Sequence, residues 1–404
     1  MKKRFHIEIT GKCNIRCKYC YNSKFNAVEE VSNQLTIDEI EQLIKQAADM
    51  GCTTYIFSGG EPFVRQDIDK IISFCPEDSK VSAITNCMLI NEEVLDKISK
   101  YPQFKELKIS WDGFNSHNSI RVGSDYNKII NNIKLIHEKL PDCNIIINTI
   151  INKYSITELL DLYEKLKELG IKHWRIDMPF NSGRYEENRD DLSEVDFEDI
   201  ILTYRDLLKK YFEDGKPMIL EIFNVYKSQI KLVDYHDFDL DAHPCAYYNN
   251  TITVRPNADL TFCPSLGFKI ANWRDTHSLE EAVKTAEQHE YMNVKIRNID
   301  QCVNCRYLKL CGGGCRADAV SWLNNENEVD PVSCSIMPLI EKHIVPLFDE
   351  EDAQIYRKLI DKNKDYPTQY KNSLDIYNHL KLNNPVKFVN STENYGNSKF
   401  KEEE

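Results

Sequence analysis

The chain has 404 residues, of which 42% are hydrophobic and 28% charged, and a formal net charge of −13. This composition is globular and the length exceeds one ordinary small domain; the negative charge excludes nucleic acid and an anionic membrane surface as main partners. No apolar run approaches the ~18–20 residues of a membrane span, and the basic start Met1-Lys2-Lys3-Arg4 lacks the apolar segment of a signal peptide, so the expected location is the cytoplasm.

From residue 4 to about 180, short β-rich runs alternate with amphipathic segments. Phe5–Thr10 has strand composition. Thr36-Ile-Asp-Glu39 is a capping box opening a helix with Ile37, Ile40, Leu43, Ile44 and Ala47 on one face, and Gly51 ends it. Further strands are predicted at Thr53–Phe57, Val81–Thr85, Leu107–Ser110, Ile145–Ile151 and His173–Asp177. Helices are predicted between them at Asp67–Phe74, Asn91–Ser99, Tyr126–Leu140 and Ser155–Leu169. Such alternation with short connections implies parallel strands. The predicted fold class is therefore α/β, an open or partial (β/α)6 barrel over residues 1–185, with a doubly wound sheet as the alternative. Either fold puts its chemistry in loops beyond the carboxyl ends of the strands. Residues 186–240 are predicted to be a bridging segment, helical over Val195–Glu213 and then rich in tyrosine and aspartate. Residues 241–340 have short strands around Pro256-Asn-Ala-Asp259 and little periodicity, so a small domain there needs metal to hold it together. Residues 341–404 are predicted to be a packing helix and a mobile tail.

The 14 cysteines are unevenly placed. In a reducing compartment they point to metal binding or catalysis, not to disulfides. Cys52, Cys75, Cys87 and Cys143 are scattered and are expected to be small buried hydrophobes. Cys13-x3-Cys17-x2-Cys20 follows the first strand directly. Three thiolates on a four-iron cube leave one iron open to a small molecule that can receive an electron; zinc is the alternative, although it normally takes four ligands. The second group, Cys245, Cys263, Cys302-x2-Cys305-x5-Cys311-x3-Cys315 and Cys334, is too dense for one metal. It matches one four-cysteine cluster plus three ligands of another, with a pair of structural zincs as the alternative.

With the aromatic Tyr19 before its last cysteine, the first motif resembles the signature of the radical S-adenosylmethionine (SAM) superfamily. Ser58-Gly59-Gly60-Glu61-Pro62 resembles that family's GGEP element, in which bare glycine backbone approaches the ligand and a carboxylate receives the methionine ammonium. Thr85-Asn86 and Ser110-Trp-Asp-Gly113 resemble the polar strand ends that contact ribose and carboxylate. Arg121 resembles the partner of the methionine carboxylate. His117 stands where the family often has a histidine–aspartate pair, but Asn118 and Val122 depart from that pattern. The run Asn148–Asn152, Ile151 included, would bring backbone groups to the adenine. The resemblance thus implies SAM as cofactor, Cys13, Cys17 and Cys20 as catalytic cluster ligands, and Tyr19, Ser58, Gly59, Gly60, Glu61, Asn86, Ser110, Arg121 and Ile151 around the cofactor.

The second group resembles the SPASM domain, which carries two auxiliary [4Fe–4S] clusters in many peptide-modifying members of the superfamily. By analogy Cys245, Cys263 and Cys315 hold the first auxiliary cluster and Cys302, Cys305, Cys311 and Cys334 the second, for three [4Fe–4S] clusters in all. Ala258 stands where a glycine is usual. The first auxiliary cluster is one cysteine short; His243, Asp241, another nitrogen or oxygen ligand, or a substrate thiolate are the candidates to complete it.

The family's chemistry implies hydrogen abstraction from the substrate by a 5′-deoxyadenosyl radical, with electrons from a flavodoxin- or ferredoxin-type donor. The leading expectation is an oxidative modification of a ribosomally made precursor peptide, a thioether or a carbon–carbon crosslink. The alternatives are an anaerobic sulfatase-maturing enzyme that forms formylglycine and a small-molecule dehydrogenase. Pro264 stands where the maturases have an acidic residue thought to act as base, which weighs against the first alternative. A redox-inert iron–sulfur carrier would need no methionine pocket. The first strand starts within the first few residues, leaving no room for the leader-gripping extension of many relatives, so the expectation is that a leader is bound by a separate protein, by residues 186–240, or not at all.

Overall fold

Strand β1 (Arg4–Thr10) is buried on both faces, with Phe5, Ile7 and Ile9 on one and His6, Glu8 and Thr10 on the other. Burial of both faces is the condition of an interior parallel strand. In the computed structural model, which describes residues 3–23, 33–229 and 239–383 apart from 246, 248, 249 and 267, the chain continues through α1 (Ile37–Asp49), β2 (Thr54–Gly59), α2 (Ile68–Ser73), β3 (Lys80–Thr85), α3 (Glu92–Ile98) and β4 (Phe104–Ser110). Then follow α4 (Asn115–Ile120), α5 (Tyr126–Lys139), β5 (Asn144–Ile150), α6 (Leu159–Glu168), β6 (His173–Asp177), α7 (Phe197–Glu213) and β7 (Ile219–Ile222). Each strand from β1 to β7 pairs in parallel with the next. Helix α1 opens on the expected capping box: Glu39 N donates to Thr36 Oγ1 at 3.2 Å and Thr36 N to Glu39 Oε2 at 2.8 Å.

The segment expected to be a helical bridge therefore adds one more helix and a seventh parallel strand to the sheet. Its strand, Ile-Leu-Glu-Ile, is too short for its alternation to stand out from the sequence. The tyrosine- and aspartate-rich part of that segment lies mostly outside the described residues, as does the tail from residue 384. β8 (Tyr226–Lys227) turns back antiparallel on β7 and forms one edge of the sheet.

The other edge comes from the cysteine-rich region. β9 (Thr251–Val254) pairs in parallel with β1 on the side away from β2, and β10 (Asp259–Thr261) and β11 (Ala271–Asn272) follow antiparallel. The sheet order is thus β8-β7-β6-β5-β4-β3-β2-β1-β9-β10-β11, an open sheet whose edge strands β8 and β11 do not meet. The apolar core runs without a break from β1–β7 through Ile252, Val254, Leu260 and Trp273 to α8 (Leu279–Glu287), α9 (Arg316–Leu323) and α10 (Pro331–His343). The region expected to depend on metal is therefore anchored by the main sheet as well. Arg274 adds a polar tie, forking onto the Glu39 carboxylate of the capping box at 2.7 and 3.0 Å. Cys52, Cys75, Cys87 and Cys143 are buried, as their scatter suggested. Among the described residues no helix is long and apolar enough to cross a membrane.

Because β9 covers one edge of β1, a chain ended at residue 229 exposes that edge and one side of the core. It is expected to elute as aggregates in size-exclusion chromatography with light scattering; a soluble monomer would show that the cysteine-rich region is dispensable for the sheet.

Candidate active site

The carboxyl ends of β1–β5 converge on the loop that carries Cys13, Cys17 and Cys20. Gly60 N donates to Thr10 O and Glu61 N to Lys12 O, both at 2.8 Å, so the Gly-Gly-Glu turn is hydrogen-bonded to this loop. A Cβ on Gly59, whose φ is +130°, would lie 2.0 Å from Thr10 O, and one on Gly60 would lie 2.1 Å from Lys12 O. The two missing side chains make room for the cysteine loop itself, whereas the sequence suggested room for a ligand. Glu61 is fully buried and accepts hydrogen bonds from the Thr85 hydroxyl and Asn86 N, each at 2.7 Å, and from Phe63 N at 3.2 Å. Its carboxylate thus ties the ends of β2 and β3 together. Burial pushes its pKa up to about 7 against the pull of these hydrogen bonds. Asn86 Nδ2 donates to Asn14 Oδ1 at 2.8 Å and lies 3.9 Å from Cys13 Sγ.

Cys17 sits in a two-residue ribbon, Arg16–Cys17, paired antiparallel with Arg121–Val122, so it stands opposite Arg121. The Arg121 guanidinium lies 3.7 Å from Cys17 Sγ, but its fork is engaged by Asp112, with Nε to Oδ2 at 2.7 Å and a second contact at 3.4 Å. Arg121 was expected to take the methionine carboxylate; in the structure a buried carboxylate of the chain already neutralises it. Asp112 is the hub of this corner. It accepts hydrogen bonds from the Tyr19 hydroxyl and from Ile150 N, the latter at 2.9 Å, and its own N–H donates to His117 Nδ1 at 3.2 Å. The Tyr19 ring lies under the guanidinium, 5.1 Å from its carbon. Burial alone would raise the Asp112 carboxyl; Arg121 outweighs it and holds the group below the usual carboxylate range. The three thiols lie within electrostatic reach of one another, and burial pushes them up, Cys17 to about 12, with Arg121 the main opposing influence on Cys17.

Other expected cofactor contacts are placed more variously. Ser58 Oγ bonds His6 Nε2, whose ring also meets the Tyr247 hydroxyl at 2.6 Å. Ile151 is buried and its N–H is taken by Asp177 O at 3.0 Å, so it has no free donor for an adenine. Ser110 is half-buried at the end of β4, in register with Asn148 of β5. The buried Asn148 Oδ1 has no hydrogen-bond partner among the described residues, which leaves an acceptor for a polar ligand beside Ser110.

The seven C-terminal thiols sort into two groups by mutual electrostatic influence. Cys245, Cys263 and Cys315 form one; Cys302, Cys305, Cys311 and Cys334 form the other. The second group lines a cavity of about 380 Å³ together with Asp330 and Tyr307. Among the described residues no three His, Cys, Asp or Glu side chains converge as they would on one metal ion. Of the candidates to complete the trio, Asp241 is turned outward to Arg297 and Lys295. His243 has both ring nitrogens engaged, Nδ1 by Cys245 N at 3.1 Å and Nε2 by Tyr291 O at 3.2 Å.

Three contributors carry no sequence signal strong enough to single them out. Arg184 donates to Cys17 O at 2.9 Å, and its own N–H to Cys20 O at 3.0 Å, pinning the cysteine loop from the far side of β6. Glu8, fully buried on β1, pairs with Arg255 at 3.4 Å, and its Oε1 has no hydrogen-bond partner among the described residues. Tyr21 lies within electrostatic reach of Glu8, Cys20, Arg255 and Cys263, so the N-terminal triad and the C-terminal trio border one region. Only the strand alternation of β1, with His6, Glu8 and Thr10 on the polar face, hinted at this.

Residues 7–166 match the model of the Radical SAM superfamily. The AdoMet-dependent heme synthase of Methanosarcina barkeri is 25% identical over 335 residues, covering 80% of this chain and 94% of that protein. Among solved structures, Streptococcus suis SuiB bound to precursor peptide SuiA aligns with a TM-score of 0.63 and 18% identity over 83% of this chain and 76% of that one. Native anSMEcpe with bound AdoMet aligns with a TM-score of 0.66 and 18% identity over 88% of this chain and 99% of that one. At these identities the structural likenesses establish a shared fold.

Asp112→Ala leaves Arg121 as an uncompensated buried cation and is expected to cost about 3–5 kcal/mol in chemical denaturation, while Asp112→Ala/Arg121→Met restores part of the loss. For Glu61, whose folded pKa is raised from 4.5 to about 7, the stabilising contribution is complete below pH 4.5 and is lost as pH rises through about 7. Glu61→Gln should remove this slope from the stability–pH profile while lowering stability throughout, because an amide N–H would face Asn86 N–H.

Proposed function

With residues 7–166 a radical SAM domain, we propose that Cys13, Cys17 and Cys20 hold a [4Fe–4S] cluster whose open iron takes SAM, and that the enzyme is an oxidoreductase acting on a ribosomally made precursor peptide to install a thioether or a carbon–carbon crosslink. Residues 1–185 form the catalytic unit, 186–240 the bridge and 241–340 a SPASM unit with two auxiliary [4Fe–4S] clusters, held by Cys245, Cys263 and Cys315 and by Cys302, Cys305, Cys311 and Cys334; residues from 341 pack behind them. The bound cluster and SAM supply abstraction of a hydrogen atom from an unactivated C–H bond.

The observation that supports this reading is that Cys20 and Cys263 both lie within electrostatic reach of Tyr21. A substrate bound beside Tyr21 would then border both the N-terminal triad and the C-terminal trio, which suits an overall oxidation. The chain's own residues prepare the site in stages. Asp112 fixes Arg121, and Arg121 sets a compensated positive charge beside Cys17. Gly59, Gly60 and Glu61 lock the cysteine loop onto the ends of β2 and β3. Ser110, Asn86 and Asn148 offer polar groups for the nucleoside. Glu8, paired with Arg255, would be the candidate to hold a proton, since its Oε1 has no hydrogen-bond partner among the described residues. A flavodoxin- or ferredoxin-type protein supplies the electrons.

A second reading, oxidation of a small molecule, is favoured by one observation: the match to the AdoMet-dependent heme synthase runs over 94% of that protein. Formylglycine formation has no observation of its own in its favour, and Pro264 weighs against it.

Anaerobic reconstitution is expected to give about 12 iron atoms per chain. Replacing Cys13, Cys17 and Cys20 by alanine should stop 5′-deoxyadenosine formation and leave about 8; continued cleavage, or zinc in place of iron, overturns the assignment. Coexpression with short peptides encoded beside the gene, read by mass spectrometry for loss of a pair of hydrogens, separates peptide from small-molecule oxidation.

A further inference from the structure

The trio Cys245, Cys263 and Cys315 lacks a fourth ligand, and its last member is the N-cap of α9. On the first turn of that helix stands Asp318, only 5% exposed. Its carboxylate lies within electrostatic reach of the Cys315 thiol, and among the described residues it forms no ion pair. Arg316, the cation beside it, donates instead to the carbonyls of Gly313, Glu326 and Glu328. The other carboxylate nearby, Asp330, is committed as the N-cap of α10, accepting from Val332 N and Ser333 N at 3.0 Å and from Cys315 N at 2.9 Å. A buried carboxylate this poorly compensated calls for a positive partner.

The spacing agrees with the burial. Cys17-x2-Cys20 and Cys302-x2-Cys305 each place two donors on one cluster under the proposed function, and Cys315-x2-Asp318 repeats that interval. His243 and Asp241, the donors nearest in sequence to Cys245, are engaged elsewhere. Carboxylate oxygen is an established iron ligand. We propose that Asp318 completes the first auxiliary cluster, binding through a carboxylate oxygen the iron that Cys245, Cys263 and Cys315 leave open. This rests on the proposed assignment of a four-iron cluster to that trio. Its consequence is that this cluster is closed to substrate, so that it exchanges electrons with the substrate and does not ligate it. The phenol of Tyr291, which lies within electrostatic reach of all three thiols, is the rival donor.

The test uses the full chain with Cys13, Cys17 and Cys20 replaced by alanine, so that any open iron belongs to an auxiliary cluster. The reduced protein is treated with 13C-cyanide and examined by pulsed EPR for a 13C hyperfine coupling, with 57Fe Mössbauer spectra taken in parallel. This parent should show no coupling and one iron of oxygen-ligated character. Asp318→Ala should gain the coupling at unchanged iron content, and Asp318→Cys should show neither the coupling nor the oxygen-ligated iron. A coupling already present in the parent overturns the proposal without recourse to any variant. So does a coupling gained by Tyr291→Phe with Asp318→Ala still closed. Failure of the cluster assignment has a separate signature, iron content that does not fall in Cys263→Ala, and it removes the proposal with it.

Discussion

Strand β1 is paired in parallel on both of its edges, by β2 and by β9, and most of the molecule follows from that constraint. An interior strand buried on both faces has to find partners within the protein for the polar side chains it carries. His6, Glu8 and Thr10 therefore find partners in residues far apart in the chain, Tyr247, Arg255 and Gln34. The same pairing fixes where β1 ends. The cysteine loop begins there with its carbonyls held by Gly60 N and Glu61 N, and the C-terminal thiols are brought alongside because β9 lies on the opposite edge.

Buried charge is the second theme. Glu8–Arg255 and Asp112–Arg121 are both withdrawn from water, a costly arrangement unless geometry or function requires it. The Asp112–Arg121 pair has its geometry completed by Tyr19 and Ile150 N, and it places a cation against Cys17 without leaving net positive charge in the core. The Glu8–Arg255 pair is looser, at 3.4 Å, and a carboxylate oxygen is left over. The first pair has the character of fixed support for the cysteine loop; the second leaves one buried carboxylate oxygen without a hydrogen-bond partner among the described residues.

Much of the α/β frame was legible, because buried parallel strands are short apolar runs and their helices carry a 3.6-residue stripe. His173–Asp177 matches the predicted strand, and the capping box at Thr36 forms as its spacing demands. The elements that escaped share a lack of pattern. Helix α4, Asn-Ser-His-Asn-Ser-Ile, has no apolar face, and β7 spans only Ile219–Ile222. At the site the sequence identified residue types but not their partners within the chain. Arg121 and Glu61 were singled out as ligand-binding charges, yet Asp112 and the Thr85–Asn86 strand end already engage them.

The sequence by itself determined the inventory: three thiols in one loop after the first strand, seven near the other end, and a parallel alternation between them. Spacing within a loop or a helix turn is a local property, so C-x3-C-x2-C can be read without knowing the fold. Which distant groups meet is not local. That Cys263 shares Tyr21 with Cys20, that Asp112 takes the fork of Arg121, and that β9 completes the edge of β1 were decided only by the tertiary structure. The physical reason is that buried charges and open strand edges take whichever complementary group the packed sheet brings beside them, and sequence distance does not enter that choice.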